Sequence, residues 1–155
     1  MRRYYHDSVA LRFFLVNMER SKAERVLPRQ ERALVLVVED DEVIRGVISE
    51  VLDDRGFRVV AATNGAEALE LLDRIVPDVV VLDLLIPVMH GWAFMESYFR
   101  KTNGVEIPIV VVSVSPILPR SFDRLGVRTC IGKPFQVDDL VDAVEAALEP
   151  GVPVG

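Results

Sequence analysis

From Ala33 onward the chain alternates short, unbroken apolar runs with longer stretches whose apolar residues recur every three or four positions. Leu34 to Val38, Phe57 to Ala61, Val79 to Leu82, Ile107 to Val112 and Val127 to Gly132 are too short for helices. Their near-continuous apolar character predicts strands of a sheet covered on both faces, the fifth of them a weaker one. Helical patterns lie between them. Val43, Ile44, Val47, Ile48, Val51 and Leu52 share a stripe that Gly56 closes. Asn64 followed by Glu67 resembles a capping box, opening a helix through Ala68, Leu71 and Leu72. Gly91 to Arg100 predicts a third helix, and Val137 to Leu148 a last one with Leu140, Val141, Val144 and Leu148 on one side. Before the fifth strand, Pro116 and Pro119 leave room only for a short helix near Arg120 to Leu125, closed by Gly126. Strand and helix in fivefold alternation predict an α/β fold: a doubly wound, five-stranded parallel sheet covered on both faces. Right-handed crossovers then bring every strand's C-terminal end to one edge.

That edge collects the chemistry. Glu39 and Asp40 follow the first strand, Asp83 ends the third, Ser113 ends the fourth, and Lys133 follows the fifth. An acid at the carboxyl end of a central parallel strand lies where open α/β sheets place their ligands. Three crowded carboxylates repel unless a cation sits among them or one is protonated, and hard oxygen donors suit Mg²⁺. Asp41 and Glu42, by contrast, fit the start of a solvated helix, where acids are favoured. An ammonium grips a phosphoryl oxygen and a hydroxyl donates to another. Carboxylates, hydroxyl and lysine together describe a phosphoryl-transfer site with a carboxylate nucleophile.

Composition narrows the classes. The net charge of −6 over 155 residues argues against nucleic acid as a direct partner. No apolar stretch approaches the roughly 20 residues of a membrane span, and no secretory signal opens the chain, so a cytoplasmic protein is expected. The single Cys130 excludes an internal disulfide. Residues 1–32 stand apart with eight Lys/Arg against four Asp/Glu. Val9, Leu11, Phe13, Phe14, Leu15, Val16 and Met18 form an apolar patch there, between basic Arg12 and Arg20. Three readings stay open: a helix docking on the domain or on a partner, a flexible basic arm, or an upstream start with Met18 opening a shorter chain. The expected organisation is this basic extension (1–32), one domain (33–149) and a tail (150–155).

VLVVEDDE, DLLIPVMHG, IVVVS and GKPF together resemble the response-regulator receiver domain of two-component signalling, over about residues 33 to 148. The resemblance implies a flavodoxin-like fold and a phosphorylation-controlled switch. Asp83 would accept a phosphoryl group from a histidine kinase or phosphotransfer protein. Glu39, Asp40, Asp83 and the backbone carbonyl of Leu85 would hold Mg²⁺. Ser113 and Lys133 would bind the phosphoryl oxygens, and the Lys133–Pro134 bond would be cis. Phosphorylation adds close to two negative charges, enough to bias a two-state face toward a partner.

Several positions depart from the family pattern. Cys130 stands where an aromatic switch residue is usual, Val114 where a small residue is usual, and Ile86 where Met is common. The segment from Ser113 to Lys133 is shorter than usual and holds two prolines. About seven residues follow the last helix, too few for a DNA-binding domain, so the expected output is protein contact by a stand-alone module, with the downstream partner unnamed and a homodimer open. No enzyme beyond self-catalysed phosphotransfer and dephosphorylation is expected. A scaffold that binds partners without phosphorylation is the alternative. An aspartyl phosphatase would want an acid at Leu85, and a nucleotide-binding domain a glycine-rich loop after the first strand; both are missing. His6 and His90 have no neighbouring ligand in sequence; His90 fits a turn and Cys130 a small hydrophobe.

Overall fold

A computed structural model describes residues 33–85, 91–103, 105–114 and 125–149, with Trp92 in backbone only. The 1–32 extension, Ile86, Pro87, His90, the short helix expected near Arg120 and the tail lie outside the described residues. In chain order the elements are β1 (Leu34–Val38), α1 (Glu42–Asp54), β2 (Arg58–Ala62), α2 (Gly65–Leu71), β3 (Val79–Asp83), α3 (Gly91–Lys101), β4 (Ile109–Ser113), β5 (Val127–Gly132) and α4 (Val137–Leu148). The five strands form one parallel sheet in the order β2-β1-β3-β4-β5.

The three inner strands are buried at every position, as their unbroken apolar runs require. Alternate side chains feed two cores. Leu36, Val38, Val80, Leu82 and Val111 meet Leu72, Phe94 and Tyr98 on the α2 and α3 side. Val35, Val37, Val81 and Val110 meet Ile48, Leu52, Leu140 and Val144 on the α1 and α4 side. Each such side chain withdrawn from water contributes about 1.5–3 kcal/mol. The edge strands β2 and β5 are only partly buried.

Capping chemistry fixes where α1 and α2 start. Asp41 is the N-cap of α1, accepting from the amides of Val43 at 2.9 Å and Ile44 at 3.0 Å. The helix stops at Gly56, whose φ of +88° suits glycine. Asn64 caps α2 by accepting from the Glu67 amide at 2.9 Å. The reciprocal arm differs from a capping box, since Glu67 reaches one residue further, to the amide of Thr63 at 2.8 Å and its hydroxyl at 2.6 Å. Those bonds lower the Glu67 carboxyl pKa.

β2, β3 and β4 each end one residue beyond the apolar run, and β2 and β4 start later than it for a shared reason, backbone pairing. Ile107 is buried but lies outside β4, because Pro108 has no N–H for the ladder and contributes only its carbonyl, to Val80 N at 3.0 Å. Phe57 likewise packs in the core, yet its amide closes on Leu52 at the foot of α1, so β2 begins at Arg58.

One core group lacks a partner. The Tyr98 ring stacks on Phe94 at 5.7 Å, and its hydroxyl is buried with no hydrogen bond among the described residues. Burial pushes the phenol well above its usual pKa. An unsatisfied buried hydroxyl costs about 1–3 kcal/mol. Tyr98→Phe keeps the ring and is expected to stabilise the protein by about 1 kcal/mol. Urea unfolding checks this through a higher midpoint at unchanged slope.

Candidate functional site

The sheet carries its acids to the C-terminal edge by register. β3 lies between β1 and β4, with Val38 beside Leu82 and Asp83 beside Val112. Glu39 therefore emerges one step past β1, next to the end of β3. Glu39, Asp83 and Ser113 are 2%, 6% and 3% exposed, while Asp40 faces solvent. Oxygens of Glu39, Asp40 and Asp83 lie within 4.8 Å of one another. Buried carboxylates at that spacing are costly without a cation.

Lys133 supplies one. Its Nζ donates to Glu39 Oε2 at 2.8 Å and to Asp83 Oδ2 at 3.0 Å. The lysine is set by β5, where Gly132 pairs with Ser113 and the Lys133 amide donates to the Ser113 carbonyl at 2.9 Å. The following Lys133–Pro134 peptide is cis. Burial pulls the ammonium pKa down, but hydrogen bonds and charge from Glu39 and Asp83 outweigh it and raise it. Burial raises the Glu39 carboxyl, against the Lys133 hydrogen bond that lowers it. Main-chain donors hold the remaining oxygens: Leu85 N to Asp83 Oδ1 at 3.0 Å, and Asp41 N to Glu39 Oε1 at 3.1 Å.

The residues singled out from sequence meet here: Glu39, Asp40, Asp83, Ser113 and Lys133 all reach this edge. Leu85 and Val114 stand beside it with side chains 62% and 64% exposed. Cys130 lies in β5 opposite Val111, half-buried, with its thiol pKa raised by burial. Arg45 escaped the sequence reading. Its guanidinium donates to the carbonyls of Glu39 at 3.0 Å and Asp40 at 3.2 Å, fixing the loop that carries both acids. The available signal was a lone cation four residues after Asp41, beside the acid run.

A parallel α/β sheet with this acid and lysine cluster defines a class of signalling domain, and comparison with known proteins supplies the family. The sequence matches the response regulator receiver domain over residues 35–145. It is similar to sporulation initiation phosphotransferase F of Bacillus subtilis, 30% identical over 114 residues, covering 74% of this chain and 92% of that protein. It is 38% identical over 128 residues to the protein-glutamate methylesterase/protein-glutamine glutaminase of Agrobacterium fabrum, spanning 74% of this chain but 35% of that longer protein. The structure resembles the chemotaxis response regulator CheY4 of Vibrio cholerae, with a TM-score of 0.68 at 28% identity over 76% of this chain and 99% of that one. The chain belongs to the response regulator receiver domain family. It is a receiver of two-component signalling, a module controlled by phosphorylation. Among the described residues no helix is long and apolar enough to cross a membrane.

Proposed function

We propose that Asp83 is the phosphoacceptor and that this chain signals by protein contact once Asp83 is phosphorylated. The observation that carries the reading is the Lys133 ammonium held between Glu39 and Asp83 at the sheet edge. An Asp83 oxygen attacks the phosphorus of a phosphohistidine on a histidine kinase or phosphotransfer protein. The phosphorus–nitrogen bond breaks, the imidazole recovers the electron pair, and an aspartyl phosphate forms. Lys133, freed from part of its pairing with Asp83, follows the charge to a phosphoryl oxygen, and the Ser113 hydroxyl donates to another. Glu39 keeps Lys133 from leaving the site. The Leu85 amide fixes the acceptor's rotamer by holding its second oxygen.

The donor set suits Mg²⁺: three hard carboxylate oxygens within 4.8 Å, one residue open to solvent, and no soft ligand among them. Glu39, Asp40, Asp83 and the Leu85 carbonyl would hold the ion, which when bound neutralises charge on the transferring group. No catalysis beyond phosphoryl gain and loss is proposed, and the compartment we infer is the cytoplasm. The 33–149 unit is the receiver, with 1–32 and 150–155 as appendages.

Intact-protein mass after incubation with Mg²⁺ and acetyl phosphate tests this. The expected result is one phosphoryl adduct, abolished by Asp83→Asn and by chelating the metal. An adduct that survives Asp83→Asn would move the phosphoacceptor to another residue, and none on folded protein would leave the unphosphorylated scaffold as the better reading.

A further inference from the structure

The two helical layers differ in charge. Between their helical bounds α1 and α4 hold eight acids against one arginine, net −7, whereas α2 and α3 hold three acids against two cations, net −1. Of those eight acids, Asp138 is paired with Arg55, the C-cap of α1, at 3.0 Å. The one arginine within the bounds, Arg45, is turned onto the carbonyls of Glu39 and Asp40. α1 also displays apolar surface that neither core uses. Val43 is 74% exposed and Val47, one turn on, 41%. Beside them Gly46 has no atom within 4 Å of where a Cβ would stand. Helical spacing continues this face from Val43 and Val47 to Glu50 and Asp54, so it is apolar near the site and acidic at its foot.

We infer that this face of α1 docks the chain's own N-terminal segment, the apolar run Val9–Met18 covering Val43 and Val47 and the basic stretch behind it meeting the acids. The complementarity is in both terms: residues 1–32 are net basic and carry an apolar run, and the face is net acidic with an apolar end. Placement agrees. The Ala33 carbonyl, where the described chain begins, accepts from the Arg58 amide, four residues past the end of α1 at Asp54, and residues 19–32 ahead of it hold five cations against three acids, net +2. α1 is about 20 Å long, and fourteen extended residues span on the order of 45 Å, so Val9–Met18 reaches Val43. Two valines and a few charges make a weak contact, but a tether gives an effective concentration on the order of millimolar, so a contact with a dissociation constant of about a millimolar or tighter is at least half-formed. A second acidic face would be repelled, which disfavours a face-to-face dimer. Val43 lies two residues past the Asp41 cap, so the docked segment flanks the acid site.

Photo-crosslinking in the 155-residue chain tests the docking without any phosphodonor. Val47 is replaced by p-benzoylphenylalanine, and Phe99 on α3, in the opposite layer, serves as control position. Irradiation at low micromolar protein is followed by peptide mass spectrometry. Expected are intrachain links from position 47 to residues 9–18, several-fold above position 99. They should fall in about 1 M salt, where screening reaches ~3 Å, and in Arg12→Glu/Arg20→Glu/Arg25→Glu. No link from position 47, equal yields at both positions, links mainly in dimer-mass species, or yields indifferent to salt and charge reversal would each overturn the inference.

Discussion

Lys133→Ala is expected to lower stability by about 3 kcal/mol in Mg²⁺-free buffer, and added Mg²⁺ is expected to return most of the loss. The lysine is the cation between two buried carboxylates, at 2.8 Å from Glu39 and 3.0 Å from Asp83. Removing one partner of a buried ionic cluster leaves the others uncompensated, which typically costs about 3–5 kcal/mol. Protonation of one carboxyl relieves part of this, so the lower end of that range applies. A divalent ion among Glu39, Asp40 and Asp83 substitutes for the missing charge, and a ligand at a hundred times its dissociation constant stabilises by about 2.7 kcal/mol. Urea unfolding with and without Mg²⁺ measures both terms. The double variant Lys133→Ala/Asp83→Asn should lose less than Lys133→Ala alone, because it removes one of the stranded charges. A loss that Mg²⁺ and Asp83→Asn both leave unchanged would show that the lysine acts through packing instead.

Gly91→Ala should destabilise by about 1–3 kcal/mol, while Gly46→Ala should stabilise by up to about 1 kcal/mol. Both glycines are helical, and in a helix alanine is ordinarily the better residue. At Gly46 nothing lies within 4 Å of the added carbon, so propensity decides. At Gly91 the carbon would stand 2.8 Å from Leu84 Cα, 2.9 Å from Leu84 Cδ2 and 3.2 Å from the Asp83 carbonyl oxygen. The side-chain atom can swing away, but the backbone atoms cannot move without shifting the end of β3. That end carries Asp83, and the Gly91 amide donates to the Leu84 carbonyl at 3.1 Å. Gly91→Ala is therefore expected to slow adduct formation from acetyl phosphate as well as to lower the urea midpoint, whereas Gly46→Ala leaves that rate unchanged. Equal signs for the two substitutions would refute the steric account.

Sequence alone determined the order of the described elements, the parallel sheet and the residues that meet at its edge. Inner strands such as β1, β3 and β4 are buried on both faces, so their apolar runs are continuous and hard to mistake. Once parallel order is granted, each residue just past a strand must reach the same edge, and Glu39, Asp83, Ser113 and Lys133 follow without coordinates. Only tertiary structure decided the rest. Six apolar residues on α1 were legible as one stripe, yet just Ile48 and Leu52 are fully buried. The width of an apolar stripe records what a helix is able to cover, and its neighbours fix what is covered. Pro108 and Phe57 were apolar enough for strands and were excluded by hydrogen bonding, which composition does not reveal. The bridging of Glu39 and Asp83 by one ammonium, and Arg45's hold on the loop behind them, join residues 94 and 50 apart in sequence for the lysine and six for the arginine. Such bonds depend on side-chain direction within a folded edge, and no periodicity along a chain encodes that.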